Sequence, residues 1–232
     1  MSGRRARSAL PPAQLTIVWQ SVSLLLDYPD EELLSRIELM RSASQGLPPD
    51  VGDAIRRFLD HLESTPLPEL QADYVETFDS RRRCNLFLTY FAHGDTRKRG
   101  MALLRFKQTY LGAGFDLDDR ELPDHLCVVL EFAATVDQDL GRDLMLDHRA
   151  GLELLRLSLR DMGSPWASLV DAVTATLPSL RGDERDAVRR LAAEGPPEEE
   201  VGLAPFAQPE FSPGAASSAT LLPMPSFPGA RA

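Results

Sequence analysis

The sequence predicts an all-α protein, built as a single globular domain of about seven to nine helices and followed by a disordered C-terminal tail. Apolar residues recur at helical spacings of three and four along most of the 232 residues. No segment shows the apolar–polar alternation, bounded by turns, that indicates a strand. The composition also changes after Glu194, where prolines, glycines, alanines and serines dominate. We therefore expect a disordered arm at 1–12, a helical domain at 13–194 and a proline-rich disordered tail at 195–232.

The first part of the domain is predicted to hold three helices. Residues 14–26 place their apolar side chains on one side, and Pro29 ends this helix because the residue before proline avoids the helical region. Asp30 is suited to cap a second helix that runs to about Met40. Asp50 is suited to cap a third, in which Ile55, Phe58, Leu59 and Leu62 face inward.

Residues 71–110 contain two apolar, aromatic-rich runs on either side of a polar turn, Gly94-Asp95-Thr96. The first run is predicted to be one long helix, or two helices with a break near Ser80. Phe78 should pack in the core, and Asp79 should cap or pair with the arginines that follow it.

The second run is predicted to be a helix that Asp95 or Thr96 caps and that ends before Gly112 and Gly114. Its spacing places Met101, Leu104, Lys107 and Leu111 on one stripe, which we expect to face the core.

Four further helices are predicted after this hairpin. Leu122-Pro123 should open the first of them, because proline is tolerated in a first turn. Its apolar positions follow helical spacing at Leu126, Val129, Leu130 and Ala133. The others cover about 142–162, 164–178 and 183–193.

Composition narrows the possible functions. A net charge of −10 argues against nucleic acid as the main partner, since nucleic-acid-binding domains are basic. No run approaches the roughly 18 apolar residues that would cross a bilayer, and no apolar core follows the N-terminal arginines. Cys84 and Cys127 are the only cysteines, and both lie among apolar neighbours. We therefore expect a cytoplasmic protein, neither secreted nor integral to a membrane, with two buried thiols.

No catalytic or metal-binding pattern is present in the sequence. The four histidines are dispersed, and no phosphate-binding glycine-rich loop or nucleophile motif occurs. We therefore expect neither enzymatic activity, nor a metal site, nor a bound cofactor.

Charge is instead segregated along the chain. Basic residues gather in the hairpin, at Arg81, Arg82, Arg83, Arg97, Lys98, Arg99, Arg105 and Lys107. Acidic residues gather between Asp116 and Asp143. The two groups either pair with each other or are solvated faces, or they bind different partners: a basic amphipathic peptide in an acidic groove, and an anionic partner at the basic turn.

The string TFDSRRRCNLFLTYFAHGDTRKRGMALLRF resembles the central signature of the nitrate reductase molybdenum cofactor assembly chaperones, also called the delta subunit family. Its landmarks are the Phe-Asp pair, the Leu-x-Leu-Thr-Tyr run and the Gly-Asp-Thr-Arg-x-Arg-Gly turn. A second block, ELPDHL followed by LEF, also resembles that family. The resemblance is strongest over residues 73–132 and does not extend to the tail.

The resemblance implies a system-specific chaperone. Members of the family bind the apo catalytic (alpha) subunit of a respiratory nitrate reductase, partly through its N-terminal segment. They hold that subunit competent for insertion of the molybdenum cofactor and for assembly of the membrane complex. Transient contact with the cofactor or with its delivery proteins is also implied.

We expect the client peptide to dock as an amphipathic helix on an apolar face presented by Tyr90, Leu126 and Leu130. Basic residues of the peptide would meet Asp124 and Glu131. The turn would lie at the mouth of this groove, shaped by Asp95, with Arg97 and Arg99 facing the client. The complete set of expected client-binding residues is Tyr90, Asp95, Arg97, Arg99, Asp124, His125, Leu126, Leu130 and Glu131.

Two alternatives remain open on the sequence alone. One is a helical carrier or enzyme in which the basic turn binds phosphate or a cofactor. The other is a general helical adaptor protein with no role in nitrate reduction.

Overall fold

A computed structural model describes residues 10–118 and 121–197 of the chain. Most of the expected N-terminal arm and all but three residues of the expected tail lie outside the described residues. Within them the all-α class is confirmed, and the only β-type pairing is an isolated bridge. The α-helices are α1 Pro12–Leu25, α2 Glu31–Ser35, α3 Ile37–Ser44, α4 Pro49–Ser64, α5 Leu67–Tyr74, α6 Tyr90–His93, α7 Arg97–Gly112, α8 Leu126–Thr135, α9 Gln138–Asp147, α10 Arg149–Asp161, α11 Ala167–Ala175 and α12 Gly182–Glu194.

The helices surround one apolar core. Helix α1 packs against α8 and α11, α4 packs against α11, and α10 packs against α11 and α12. Trp19 on α1 is fully buried, and its indole Nε1 donates a 3.0 Å hydrogen bond to Oγ1 of Thr176, just after α11. On the same helix Ser23 donates to the carbonyl oxygen of Cys127 on α8 at 2.8 Å. These bonds satisfy polar groups that would otherwise be costly to bury, and they fix how α1 lies between its neighbours.

Several predicted helices are divided in the structure, which is why the helices outnumber the expectation. Arg36 separates α2 from α3, and His148 separates α9 from α10. The predicted cap at Asp30 is confirmed, since its carboxylate accepts from the amide of Leu33 at 2.7 Å. Asp50 makes no such cap, because α4 already begins at Pro49.

The first run of the hairpin breaks at Ser80, as one of the two predicted forms requires. Helix α5 continues as a π-helix over Val75–Asp79 and ends there. Phe78 is 7% exposed and packs against Tyr74 and Trp166, with ring centroids 4.7 and 5.6 Å apart, so its expected burial is confirmed.

The segment after Ser80 is not the helix that was expected. A short 3₁₀ turn over Arg82–Cys84 leads into a brief extended stretch at 85–87. Leu88 and Thr89 form a turn, and only Tyr90–His93 is again helical. The predicted pairing of Asp79 with the following arginines is replaced by other contacts. Arg81 pairs with Glu76 at 2.9 Å, and Asp79 is exposed.

Helix α7 ends at Gly112, one residue later than predicted, and Gly114 adopts a positive φ of 79°. Its orientation is opposite to the expectation. Its buried face carries Ala102, Phe106 and Tyr110, whereas the stripe at Met101, Leu104 and Leu111 is 63%, 45% and 63% exposed. Neither Asp95 nor Thr96 caps the helix, and the Thr96 hydroxyl donates instead to the carbonyl oxygen of His93.

Helix α8 begins four residues later than Leu122, the predicted start, because Pro123 and Asp124 are held in other contacts. The hydroxyl of Tyr110 donates a 2.7 Å hydrogen bond to the carbonyl oxygen of Pro123. The C-terminal end of the described chain packs at the polar turn, where Pro196 is buried. Gly94 has a φ of 55°, and a Cβ on it would lie 2.1 Å from the carbonyl oxygen of Pro197, so this position requires glycine.

Candidate functional site

Segments 85–90, 95–99 and 123–126 meet at one place, which we call the motif junction and define by Thr89, Tyr90, Arg99, Asp124 and His125. Its frame is an antiparallel bridge between Phe87 and His125. The amide of Leu88 donates to the carbonyl oxygen of Asp124 at 3.0 Å, and the amide of Leu126 donates to that of Leu86 at 2.9 Å. The two sequence blocks that carry the family resemblance are therefore bound to each other through their backbones.

Asp124 is the centre of this junction. It is fully buried, and its Oδ2 accepts hydrogen bonds from the amide of Thr89 at 3.1 Å and from the Thr89 hydroxyl at 2.5 Å. Among the described residues its Oδ1 has no hydrogen-bond donor. A buried carboxylate is costly unless it is paired, so these contacts tie Asp124 to its neighbours.

Arg99 brings helix α7 into the same arrangement. Its Nη2 lies 3.7 Å from Oδ2 of Asp124, its Nε donates to the Thr89 hydroxyl at 3.3 Å, and its Nη1 donates to Asp95 at 3.1 Å. The guanidinium carbon lies 5.3 Å from the centroid of the Phe87 ring and 5.9 Å from that of Tyr90, within the range of cation–π contacts. Arg99 thus pairs a charge of the basic hairpin with one of the acidic segment.

The apolar face that was expected to receive a client helix is not exposed. Tyr90 is 4% exposed, and Leu126 and Leu130 are fully buried. The hydroxyl of Tyr90 accepts a 2.7 Å hydrogen bond from Nε of Arg82. This part of the expectation is wrong because these side chains fill the core between the bridge and α8, and Asp124 is equally inaccessible.

The other expected client-binding residues keep access to solvent. Asp95, Arg97 and Glu131 are exposed, and Arg99 and His125 are half-buried. The His125 ring packs edge-on against Phe87, with centroids 5.0 Å apart, and burial lowers its pKa below the usual histidine value. A contact to these residues from outside the chain therefore remains a prediction.

The sequence did not predict the role of Thr89 in the motif junction, nor that of Phe87 in the bridge that frames it. Thr89 is a buried polar side chain within an apolar run, and such a residue needs a partner. Leu86 and Leu88 are both buried while Phe87 between them is half-exposed, which is the alternation of an extended segment. The alternating stretch is too short to distinguish a strand from a helix by spacing alone.

The described residues contain no group of three or more His, Cys, Asp or Glu side chains that could hold a metal ion. No helix among them is both long and apolar enough to cross a membrane. The motif junction is a buried, hydrogen-bonded polar cluster with charged side chains at its outer edge.

The family described as nitrate reductase delta subunit matches residues 44–171, which is more than half of the chain and includes the whole motif junction. The chain belongs to this family. The bridge between residues 87 and 125 therefore joins two parts of the matched region.

Curated relatives agree with this assignment. The chain is 39% identical over 160 residues to nitrate reductase-like protein NarX of Mycobacterium tuberculosis, covering 69% of this chain but 24% of NarX. It therefore spans about a quarter of that relative. It is 34% identical to the probable nitrate reductase molybdenum cofactor assembly chaperone NarJ of Bacillus subtilis, covering 71% of this chain and 90% of that one. With the assembly chaperone NarJ of Escherichia coli K12 the identity is 36%, over 65% of each.

Proposed function

We propose that this protein is a system-specific chaperone that binds the apo catalytic subunit of a nitrate reductase and assists insertion of its molybdenum cofactor. The observation that carries the proposal is the match to the Bacillus subtilis NarJ chaperone, which extends over nine-tenths of that relative. A chaperone acts in this way by binding and release, so it needs a shaped surface and no reaction centre. The proposal includes a cytoplasmic location and the absence of catalytic activity.

The client's N-terminal segment is the proposed ligand of the motif junction. The exposed Asp95, Arg97 and Glu131 and the half-buried His125 and Arg99 are the side chains that can reach it. Tyr90, Asp124, Leu126 and Leu130 have a different role in this proposal. They hold the backbone of the turn and the start of α8 in place, because they are buried beneath the accessible residues.

The proposal is tested by co-expressing the full chain with the catalytic subunit of its host's nitrate reductase. The measurements are the molybdenum content and the nitrate reductase activity per catalytic subunit, with and without the chain. We expect the catalytic subunit to accumulate with little molybdenum when the chain is absent, and to be loaded when it is present. Equal loading in both preparations would contradict the proposal.

Analysis of the purified chain distinguishes the chaperone hypothesis from the alternative that the protein is a carrier of the cofactor itself. The absorption spectrum and the molybdenum content of the chain after co-expression distinguish the two. A pterin or molybdenum bound in stoichiometric amount would favour the carrier. Complex formation with the apo subunit by a chain that carries neither supports the chaperone.

A further inference from the structure

The outward face of α7 is unlike the rest of the described surface. Met101, Leu104 and Leu111 are three of the large apolar side chains that the described residues leave exposed. At 100° per residue they fall within about a quarter of the helix circumference, along a helix roughly 24 Å long. We call these three residues the α7 stripe. Exposed apolar side chains that cluster on one face of a protein are typical of a binding surface.

The stripe continues into a cavity at the C-terminal end of α7. This cavity has a volume of about 410 Å³. Its apolar lining comes from Tyr110, Leu111, Phe115 and Leu117, and Lys107, Asp116 and Asp118 supply its polar lining. Apolar side chains thus extend from Met101, near the start of the helix, to a depression just beyond its end. A partner lying along α7 would meet apolar side chains near both ends of the helix, with the exposed Gln108 between them, and a place to anchor one large side chain.

Basic charge flanks the stripe. The sequence of α7 contains five basic residues, Arg97, Lys98, Arg99, Arg105 and Lys107, and no acidic residue. Arg97, Lys98 and Arg105 are exposed and have no ion-pair partner among the described residues. In a chain with a net charge of −10, this concentration of positive charge is local to one helix and its neighbouring turn.

We propose that the α7 stripe is a second client-binding surface, which receives an acidic amphipathic helix of the apo catalytic subunit. The partner's apolar face would cover Met101, Leu104 and Leu111, and its Asp or Glu residues would pair with Lys98 and Arg105. This inference rests on the proposed function for the identity of the client. It differs from the motif junction in its apolar residues, which lie on the outward face of α7.

A second copy of this chain is a poor occupant of the surface. In a symmetric dimer through α7, the same basic helix would face itself, so the exposed Arg97, Lys98 and Arg105 of one copy would approach those of the other. Like charges placed directly opposite each other are destabilising. An acidic helix instead gains both apolar contact and charge pairing.

The first experiment measures binding of the full chain to the apo catalytic subunit of its host's nitrate reductase by calorimetry. We expect Leu104→Gln combined with Leu111→Gln to raise Kd at least tenfold. The matched control is Leu39→Gln with Leu140→Gln, which makes the same change at apolar residues exposed on α3 and α9 and leaves Kd unchanged. All four leucines are exposed, so both double variants should keep the unfolding temperature of the parent.

The second experiment tests charge. Lys98→Glu combined with Arg105→Glu should raise Kd at low salt, and the difference from the parent should shrink near 1 M salt, where the Debye length falls to roughly 3 Å. Arg57→Glu with Arg190→Glu reverses two exposed arginines elsewhere and is the matched control. A photo-crosslinking residue at position 104 should capture an acidic helix of the client, whereas the same residue at position 39 should not.

The outcomes separate the two proposals. If the parent and the Leu104→Gln, Leu111→Gln variant bind the client equally, the α7 stripe is not a client surface, while the proposed function stands. If the crosslink at position 104 joins a second copy of the chain or its own residues 198–232, the assigned occupant is wrong. If the unmodified chain forms no complex with the apo subunit, the proposed function and this inference both fail.

Discussion

The hydroxyl of Thr89 donates a hydrogen bond of 2.5 Å to Oδ2 of Asp124, and the backbone amide of Thr89 donates to the same oxygen at 3.1 Å. This pair joins two segments that are 35 residues apart in the sequence. Because Asp124 is fully buried, the contact is structural in this conformation. It explains why an aspartate that resembles a ligand-binding residue in the sequence lies beneath the surface.

Asp124 and Glu131 should therefore behave differently, although both were expected to meet basic residues of the client peptide. Asp124→Ala leaves the amide and the hydroxyl of Thr89 without an acceptor and Arg99 without its buried partner. We expect a loss of about 3–5 kcal/mol in the free energy of unfolding, as for other broken buried pairs. Glu131 is exposed, and Glu131→Ala should change stability by less than about 0.5 kcal/mol. Urea unfolding measures both, and equal stability of the two variants would contradict the assignment.

The fold class could be predicted from the sequence because apolar spacing reports helices directly. Which face of a helix points inward was harder to predict. In α7 the sequence offers two apolar stripes, and the one with Met101, Leu104 and Leu111 is exposed. The aromatic residues Phe106 and Tyr110 decide the orientation, since Tyr110 packs against Phe132 with ring centroids 4.6 Å apart. Spacing alone carries no information about such a distant partner.

The candidate site was predicted only in part for a similar reason. The two blocks around residues 90 and 124 were identified as functional, and the structure brings them together. The burial of the side chains in these blocks could not be predicted, because residues distant in the sequence cover Tyr90, Leu126 and Leu130. Asp124 precedes α8 and Glu131 lies in the middle of it, and only the fold shows that Asp124 is covered and Glu131 exposed.

Phe78 and Asp79 provide a test of the junction after α5. Phe78 packs against Tyr74 and Trp166, and Phe78→Ala should cost about 3–5 kcal/mol because it leaves a cavity. Asp79 is exposed, so Asp79→Ala should cost less than about 0.5 kcal/mol. Thermal unfolding of the two variants measures the difference. A cost of 1 kcal/mol or more for Asp79→Ala, about that of a lost helix cap, would restore the capping role that the sequence suggested.

His125 should make the stability of the protein depend on pH. Burial lowers its pKa in the folded state, against the opposing effects of Asp27 and Asp124. As the pH falls below about 6.5, the unfolded chain binds a proton at this histidine before the folded chain does. Its contribution is therefore fully present above that pH and is lost as the pH falls through the folded-state pKa.

The measurement compares the parent with His125→Gln at about pH 7.5 and about pH 5.5, on either side of the ordinary histidine pKa. The free energy of unfolding should fall more steeply with acidification in the parent. His61 and His148, whose pKa values are also lowered by burial, are common to both proteins and cancel in the comparison. If the parent and the variant lose the same stability, His125 does not titrate as its burial implies.

Two truncations should show where the structured domain ends. Helix α12 stops at Glu194, but Pro196 is buried and the carbonyl oxygen of Pro197 accepts a 3.5 Å hydrogen bond from Nη2 of Arg82. Truncation after Pro197 keeps these contacts, so we expect its stability to lie within about 0.5 kcal/mol of the full chain. Truncation after Ala193 removes these contacts. The free energy of unfolding should then fall by about 1–3 kcal/mol, as when a buried polar group loses its partner. Both proteins should remain folded by circular dichroism. If truncation after Pro197 lowers stability by several kcal/mol, or by more than truncation after Ala193 does, residues beyond Pro197 belong to the structured domain.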